Sequence, residues 1–439
     1  MPTILHTPTL AADDATRSAD DLTPAIPVPE QQTPAKAVAG SLLAGLACSV
    51  ALVAGPFAGS GEATTTGAIL VGFAIGWALP ATLSIRRDAG SHRWAAVPAA
   101  ALGTTGVALI GLAPGTDTLD TLAWVWPPAI LALTAWMTAQ VARQPRPRRG
   151  SRVLYPVLAL MALTTVGGGY ETIAASTSGG AVRVAGDRLI DVGGHRLNIR
   201  CTGAGSPVVI LEPGLGEPTR EMAKLIAPQV ARTTRICVYD RAGHGRSDVA
   251  PKADAARDLH ELLRRAHVRG PVVLAGHSLG GMFALSYADR YPAEVGGVAL
   301  IDSMHPEQTH AAAGMGRALA PVPTVARTGI ARLLLDPDDG PPVEQARQLA
   351  RDVQQMPAEL NRAARLETLG DRPLGVVTAG TGSKPGWAKD QNDLATLSSR
   401  SFHRTVPGST HGSLILDPAH AQASSRAIED VVRQVRSER

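Results

Sequence analysis

Five apolar runs, 38–58, 66–85, 94–113, 121–142 and 153–173, occupy the first part of the chain. Each is about 20 residues, the length a helix needs to cross the hydrocarbon core of a bilayer. None shows the polar stripe that a helix packed onto a water-soluble core carries. The pattern predicts a bundle of five transmembrane helices over 38–174. The second run contains "GFAIG", Gly72 to Gly76, small residues four apart that let helices approach closely. Pro127 and Pro128 are expected to kink the fourth run. Residues 1–37 are rich in Pro, Thr, Asp and Ala without an apolar period, and read as a disordered tail. Residues 1–32 lack the basic segment and apolar core of a secretory signal.

From about residue 181 the pattern changes. Charges return, and short β-rich runs fall at 187–192, 195–201, 208–212, 235–239, 272–276, 297–302, 374–379 and 402–406. Amphipathic helical stretches separate most of the later runs, as in "DAARDLHELLRRAH" at 254–267. Two hairpin-like strands followed by alternating strand and helix indicate a mostly parallel sheet covered on both faces. The stretch 181–439 is ample for one large core. Between the sixth and seventh strands, 303–370 reads as helices broken by "DPDDGPP".

Charge decides the orientation. The net charge is only +4. The densest basic run, "RQPRPRR" at 143–149, lies between two apolar runs rather than on a folded domain, which excludes a nucleic-acid patch there. The loops "RRDAGSHR" (86–93) and "RQPRPRRGSR" (143–152) are basic, whereas "GSGEATT" (59–65) and "PGTDTLD" (114–120) contain no Lys or Arg. The positive-inside rule then places the basic loops and the N-terminus in the cytoplasm, and everything after about 174 outside it. The expected location is the cell membrane, with the bilayer as one partner. No span has an ionisable residue at its middle; Glu171 sits at the outer end of the last. That favours an anchor over an ion pathway.

The soluble half carries the chemistry. "GHSLGG" at 276–281 contains Gly276-x-Ser278-x-Gly280, with an apolar strand running in and an amphipathic helix running out. This strand–turn–helix context lifts a serine to the top of a sheet. A serine needs a base, a group to orient that base, and donors for the oxyanion. In the chain order Ser, acid, His, the base is sought after the last strand. "VPGSTHGSLILDP" supplies His411 there; a structural role for that histidine stays open.

At these residues the segment 187–437 resembles the α/β-hydrolase fold superfamily, especially membrane-attached or secreted bacterial serine hydrolases. The resemblance is carried by "CTGAGSP" (201–207), "YDRAGHGRSD" (239–248) and "IDSMHPEQ" (301–308), in addition to the serine motif. It implies an eight-stranded, mostly parallel sheet with a helical cap at about 303–370, following the transmembrane bundle. It implies a triad of Ser278, His411 and an acid. The seventh strand is followed by "GTGSKPGWAKDQND", with no Asp at its tip, so Asp302 at the end of the sixth strand is favoured and Asp390 and Asp393 stand behind it. A buried Asp302 that only pins the "SMHPEQ" turn is the alternative. The oxyanion donors are expected to be the amides of Leu279 and of Leu215, in "EPGLGEP" (212–218), where Pro213 replaces the histidine of many members.

The resemblance also implies roles around the site. His277 and Met304 are expected to line the substrate pocket. Met315 and Leu333–Leu335 either extend it or pack the cap. Asp240 and Arg241 are expected to organise their loop. In this fold the strands of Cys201 and Cys237 are antiparallel neighbours, and outside the cytoplasm a disulfide between them would persist; two buried thiols are the alternative. Cys48 reads as a small apolar residue of the first run. No Cys/His cluster has zinc spacing, and no cofactor is expected.

The expected function is a membrane-anchored serine hydrolase that cleaves a small-molecule carboxylic ester or related acyl bond. Amide, peptide and thioester cleavage and acyl transfer stay open. Epoxide and haloalkane chemistry is disfavoured, because such relatives use an Asp where Ser278 stands. The competing readings are a catalytically inactive, hydrolase-like sensing or binding protein, and a transporter with a fused accessory domain.

Overall fold

The structure, a computed structural model, describes residues 34–86, 90–143, 154–177, 184–250, 253–330 and 342–437. Residues 1–33 of the expected tail, parts of both basic loops (87–89 and 144–153), 178–183 and 331–341, with Leu333–Leu335 and most of "DPDDGPP", lie outside the described residues; the last part of the expected tail, 34–37, is instead the start of the first helix.

The apolar runs form α1 (Pro34–Ala54), α2 (Glu62–Arg86), α3 (Ala96–Leu112), α4 (Thr116–Leu122), α5 (Trp126–Ala142) and α6 (Leu154–Thr177). The expectation of five spans needs correction. Among the described residues, three stretches are long and apolar enough to cross a bilayer: Glu62–Thr82, Arg93–Leu112 and Leu154–Thr177. A fourth is reached if α4 and α5, bent by 44° at their junction, count as one. That break has a sequence cause. Pro127 and Pro128 lie in the first turn of α5 and have no N–H to bond back into α4. In the first run α1 has 21 residues, and its apolar part is Ala39–Ala54. The "GFAIG" stretch does what its small residues suggest: a Cβ on Gly72 would fall 2.2 Å from Ser49 Oγ, and one on Gly76 2.9 Å from the Cα of Gly45.

The C-terminal half is built on eight strands, β1 (Arg188–Asp191), β2 (Arg196–Thr202), β3 (Val209–Glu212), β4 (Ile236–Tyr239), β5 (Val272–His277), β6 (Val295–Ile301), β7 (Leu374–Ala379) and β8 (Ser401–Val406). Their order is β1-β2-β4-β3-β5-β6-β7-β8. The β1–β2 and β2–β4 pairs are antiparallel and the rest are parallel. The expected eight-stranded, mostly parallel sheet is therefore present. Strands buried on both faces read as continuous apolar runs, and each residue serves one of two cores. Val209 and Leu211 join the core under α7 (Thr219–Val230) and α15 (Pro418–Arg436). Ile210 between them faces the core under α8 (Ala255–Arg265) and α9 (Gly280–Arg290).

In the antiparallel register Cys201 stands directly opposite Cys237, and the two form the expected disulfide, with Cα atoms 4.0 Å apart. After β6 the chain leaves the sheet through α10 (Thr309–Leu319), α11 (Val322–Arg327) and α12 (Pro342–Ala363) before re-entering at β7. Val353, Met356 and Leu360 of α12 join the core that holds α9, so this cap is bound to the sheet domain. Met315 packs against the same core, the packing alternative for that residue. Two further helices, α13 (Trp387–Ala395) and the short α14 (Ser413–Leu416), flank the carboxyl ends of β7 and β8.

Candidate active site

Ser278 follows β5 directly and has φ +55°, the left-handed region that a non-glycine residue rarely occupies. The strain is imposed from both sides. The Ser278 amide donates to the Ile301 carbonyl at 3.1 Å, and the Met304 amide donates to the Ser278 carbonyl at 3.1 Å. The flanking glycines allow the turn. A Cβ on Gly280 would lie 2.0 Å from the Glu212 carbonyl oxygen, and one on Gly276 2.5 Å from the backbone of Gly280. Such strain persists only where the surrounding structure over-determines it, as at functional turns. The N-terminus of α9, with its partial positive charge, begins two residues on.

Asp302 follows β6 with φ +44°. Its Oδ2 lies 2.6 Å from His411 Nδ1. Oδ1 accepts from Trp387 Nε1 at 2.8 Å and from the Ala379 amide at 3.0 Å. Burial pushes the Asp302 carboxyl up, but the hydrogen bonds from His411, Trp387 and Ala379 outweigh it and hold it below the usual aspartate value. His411 lies between β8 and α14 with its side chain 47% exposed, reachable from solvent. Its ring sits 4.6 Å from the ring of His277, next to the serine. Ser278 Oγ makes no hydrogen bond to a described residue, the His411 ring included. Asp390 and Asp393 are elsewhere: Asp390 accepts from Gln308 Nε2 at 2.8 Å, and Asp393 pairs with Lys389.

The loop "EPGLGEP" passes beside the serine: a Cβ on Gly214 would lie 3.1 Å from Ser278 Cβ. Its shape is held by buried side chains. Glu217 Oε2 accepts from the Gly214 amide at 2.7 Å and lies 3.0 Å from His277 Nδ1. Arg241 donates to the Pro213 carbonyl at 2.8 Å. Asp352 Oδ2, from cap helix α12, accepts from the Gly216 amide at 2.8 Å. No described residue accepts from the amides of Leu215, in the loop beside Ser278, or of Leu279, the next residue after it. His277 reaches Glu217 on one side, and its Nε2 lies 3.2 Å from the His411 carbonyl oxygen on the other. It braces the site from behind. Met304 is half-buried behind the serine and packs against the core.

Glu217, Trp387 and Asp352 are absent from the residues that motif and spacing single out. The only hint for Glu217 is an acid inside a Gly/Pro loop. Asp352 sits in an ordinary amphipathic helix, and only the fold turns it toward the loop. Arg241 is buried between Asp352, whose Oδ1 is 3.0 Å from its Nη2, and Glu212, 3.8 Å from its Nη1, and its side chain donates to the carbonyls of Pro213 and Gly214 in the 212–218 loop rather than to its own loop. Among the described residues no three His, Cys, Asp or Glu side chains are grouped to hold a metal ion.

Residues 207–331 match a family model described as the alpha/beta hydrolase fold. A pimeloyl-[acyl-carrier protein] methyl ester esterase of Chromobacterium violaceum is 38% identical over 107 residues, 24% of this chain and 40% of that protein. A 2-(acetamidomethylene)succinate hydrolase of Mesorhizobium japonicum is 34% identical over 119 residues, 26% of this chain and 42% of that protein. The chain thus spans less than half the length of these curated relatives. Among solved structures, a thermophilic esterase from Thermogutta terrifontis is 23% identical with a TM-score of 0.43, covering 57% of this chain and 99% of that one.

Proposed function

Because the C-terminal half of the chain belongs to the α/β-hydrolase superfamily, we propose that the protein is a membrane-anchored serine hydrolase acting on a carboxylic ester. The observation that carries this reading is the 2.6 Å contact between Asp302 and His411, set beside a serine held at positive φ.

In the proposed reaction Ser278 Oγ attacks the ester carbonyl carbon, and His411 Nε2 takes its proton. Asp302 holds the ring with Nδ1 protonated and offsets the charge that develops on it. The tetrahedral oxyanion is received by the amides of Leu279 and Leu215, both without another acceptor. Collapse expels the alcohol, which leaves with the proton from His411, and an acyl-enzyme on Ser278 remains. Water then repeats the sequence with His411 as base, releasing the carboxylic acid and restoring the serine. His277 and Met304 shape the floor of the site. The matched segment's likeness to a methyl ester esterase supports an ester over other acyl bonds.

The anchor rests on the long apolar helices. The alternation of basic and non-basic loops supports an extracytoplasmic site in the cell membrane, and the Cys201–Cys237 disulfide fits an oxidising compartment. A second reading, a hydrolase-like module that binds without turnover, draws on the missing bond between Ser278 Oγ and His411. Such bonds often tighten only when substrate is present. Hydrolysis of p-nitrophenyl butyrate by the full chain in detergent tests the two: the proposal expects turnover that Ser278→Ala removes, and turnover undiminished in that variant rules it out.

A further inference from the structure

The loops that orient the bundle also carry acids. Glu62 opens α2 in "GSGEATT", Asp120 lies in α4 at the end of "PGTDTLD", and Glu171 is near the end of α6. All three touch the cap. Glu62 receives two arginines: Arg327 from α11, with Nε 2.8 Å from Oε1, and Arg347 from α12, with Nε 2.8 Å from Oε2. Asp120 takes a two-pronged contact from Arg347, at 3.0 and 2.8 Å, and a further one from Arg327 at 3.1 Å. Glu171 Oε1 accepts from the Val343 amide, in the first turn of α12, at 3.3 Å. Thr66 and Thr324 hydroxyls meet at 2.8 Å. Backbones meet as well: a Cβ on Gly329, just after α11, would fall 1.9 Å from the carbonyl oxygen of Gly167 in α6. Only glycine, here at φ +68°, permits that approach.

The side chains of Glu62 and Arg347 are each 7% exposed and that of Arg327 13%, so both arginines meet Glu62 out of solvent, while Asp120, 52% exposed, closes the cluster at its solvent edge. Removing one partner from such a cluster leaves a buried charge uncompensated. Helix α12 carries the consequence inward. Asp352 lies about 7.5 Å of helix axis beyond Arg347, and it receives the Gly216 amide and Arg241. Leu349, between them, packs on Gly216. One rigid helix therefore touches the outer ends of the spans at one point and the loop beside Ser278 at the next.

We infer that the membrane bundle is a working part of the active site: Glu62 and Asp120 are positioning residues that, through Arg347 and α12, hold the loop carrying the Leu215 amide against Ser278. The inference rests on the proposed nucleophilic role of Ser278. It assigns the bundle a task that a tether would not have.

The test uses the full chain in detergent, p-nitrophenyl butyrate as substrate, and a fluorophosphonate to count reactive Ser278 sites. In the double variant Glu62→Gln/Asp120→Asn, kcat per titrated site should fall about tenfold to a hundredfold, as small misplacements of oxyanion donors do. KM should stay within about twofold. Arg347→Lys, which keeps a cation between the two acids, should retain more kcat per site than Arg347→Met. A purely structural role would lower the number of titrated sites and leave kcat per site unchanged; that result overturns the inference. A wild-type chain that hydrolyses nothing and takes no label on Ser278 defeats the hydrolase reading itself, before any variant is compared, and the inference with it.

Discussion

Half-buried Glu217 and buried His277 form a pair 3.0 Å apart that ties three parts of the site together. The carboxylate holds the Gly214 amide of the loop beside Ser278, and the far nitrogen of His277 faces the main-chain oxygen of His411. Glu217→Ala removes the acceptor from both the Gly214 amide and the ring. It should lower kcat on an aryl ester by about tenfold or more, a loss of roughly 1.4 kcal/mol or more in transition-state stabilisation, while Ser278 remains open to a fluorophosphonate. Steady-state kinetics on titrated enzyme check this.

Asp302→Asn keeps an oxygen for the Ala379 amide and for Trp387, so the fold should survive. It removes the charge that steadies His411 and presents a possible donor to Nδ1, which favours the wrong tautomer. A fall in kcat of about 10³–10⁴-fold is expected, with circular dichroism unchanged. Asp390→Asn and Asp393→Asn, whose carboxylates engage Gln308 and Lys389 rather than His411, should leave kcat near the wild-type value.

Glu212 gives a pH signature of the opposite sign to Asp302. Burial, aided by Glu359 and Asp352, pushes its carboxyl up to about 7 against Arg241 and the Tyr239 hydroxyl. A carboxyl harder to ionise in the folded than in the unfolded chain removes stability as pH rises from the unfolded value of 4.5 to about 7, and no further above that. Asp302, held below its unfolded value of 3.8, adds stability that is full above that value and lost as pH falls below it. Denaturant midpoints of the wild type should therefore fall between about pH 4.5 and 7 by more than those of Glu212→Gln. Parallel profiles for the two would refute the assignment.

The Cys201–Cys237 disulfide closes a loop of sequence separation 36 between two central strands. By the chain-entropy relation it contributes roughly 4 kcal/mol. Thermal unfolding in the presence of reductant, or of Cys201→Ser/Cys237→Ser, should show a midpoint lower by several degrees.

The triad candidates are legible in the sequence because strand ends are. Ser278 and Asp302 each follow a strand whose buried apolar run can be read directly, and a doubly covered parallel sheet makes those runs continuous; His411 follows the half-exposed edge strand SFHRTV and is found instead by its place between the last strand and the last helix. Glu217, Trp387 and Asp352 are not legible, because their roles depend on how loops and the cap fold back over the sheet, and no periodicity encodes that. The bundle shows the converse limit. Apolar length predicts five spans, yet Pro127 and Pro128 split one run into two helices bent by 44°. The acids of the loops without Lys or Arg look, in sequence, like mere absences of basic charge; in the fold they grip Arg327 and Arg347.

The most direct measurement is to treat intact cells expressing the full chain with a membrane-impermeant fluorophosphonate and to find the modified residue by mass spectrometry. The account predicts one adduct, on the peptide carrying Ser278, formed without lysis and absent from Ser278→Ala. An adduct on another residue, or one formed only after the cells are broken, would contradict it.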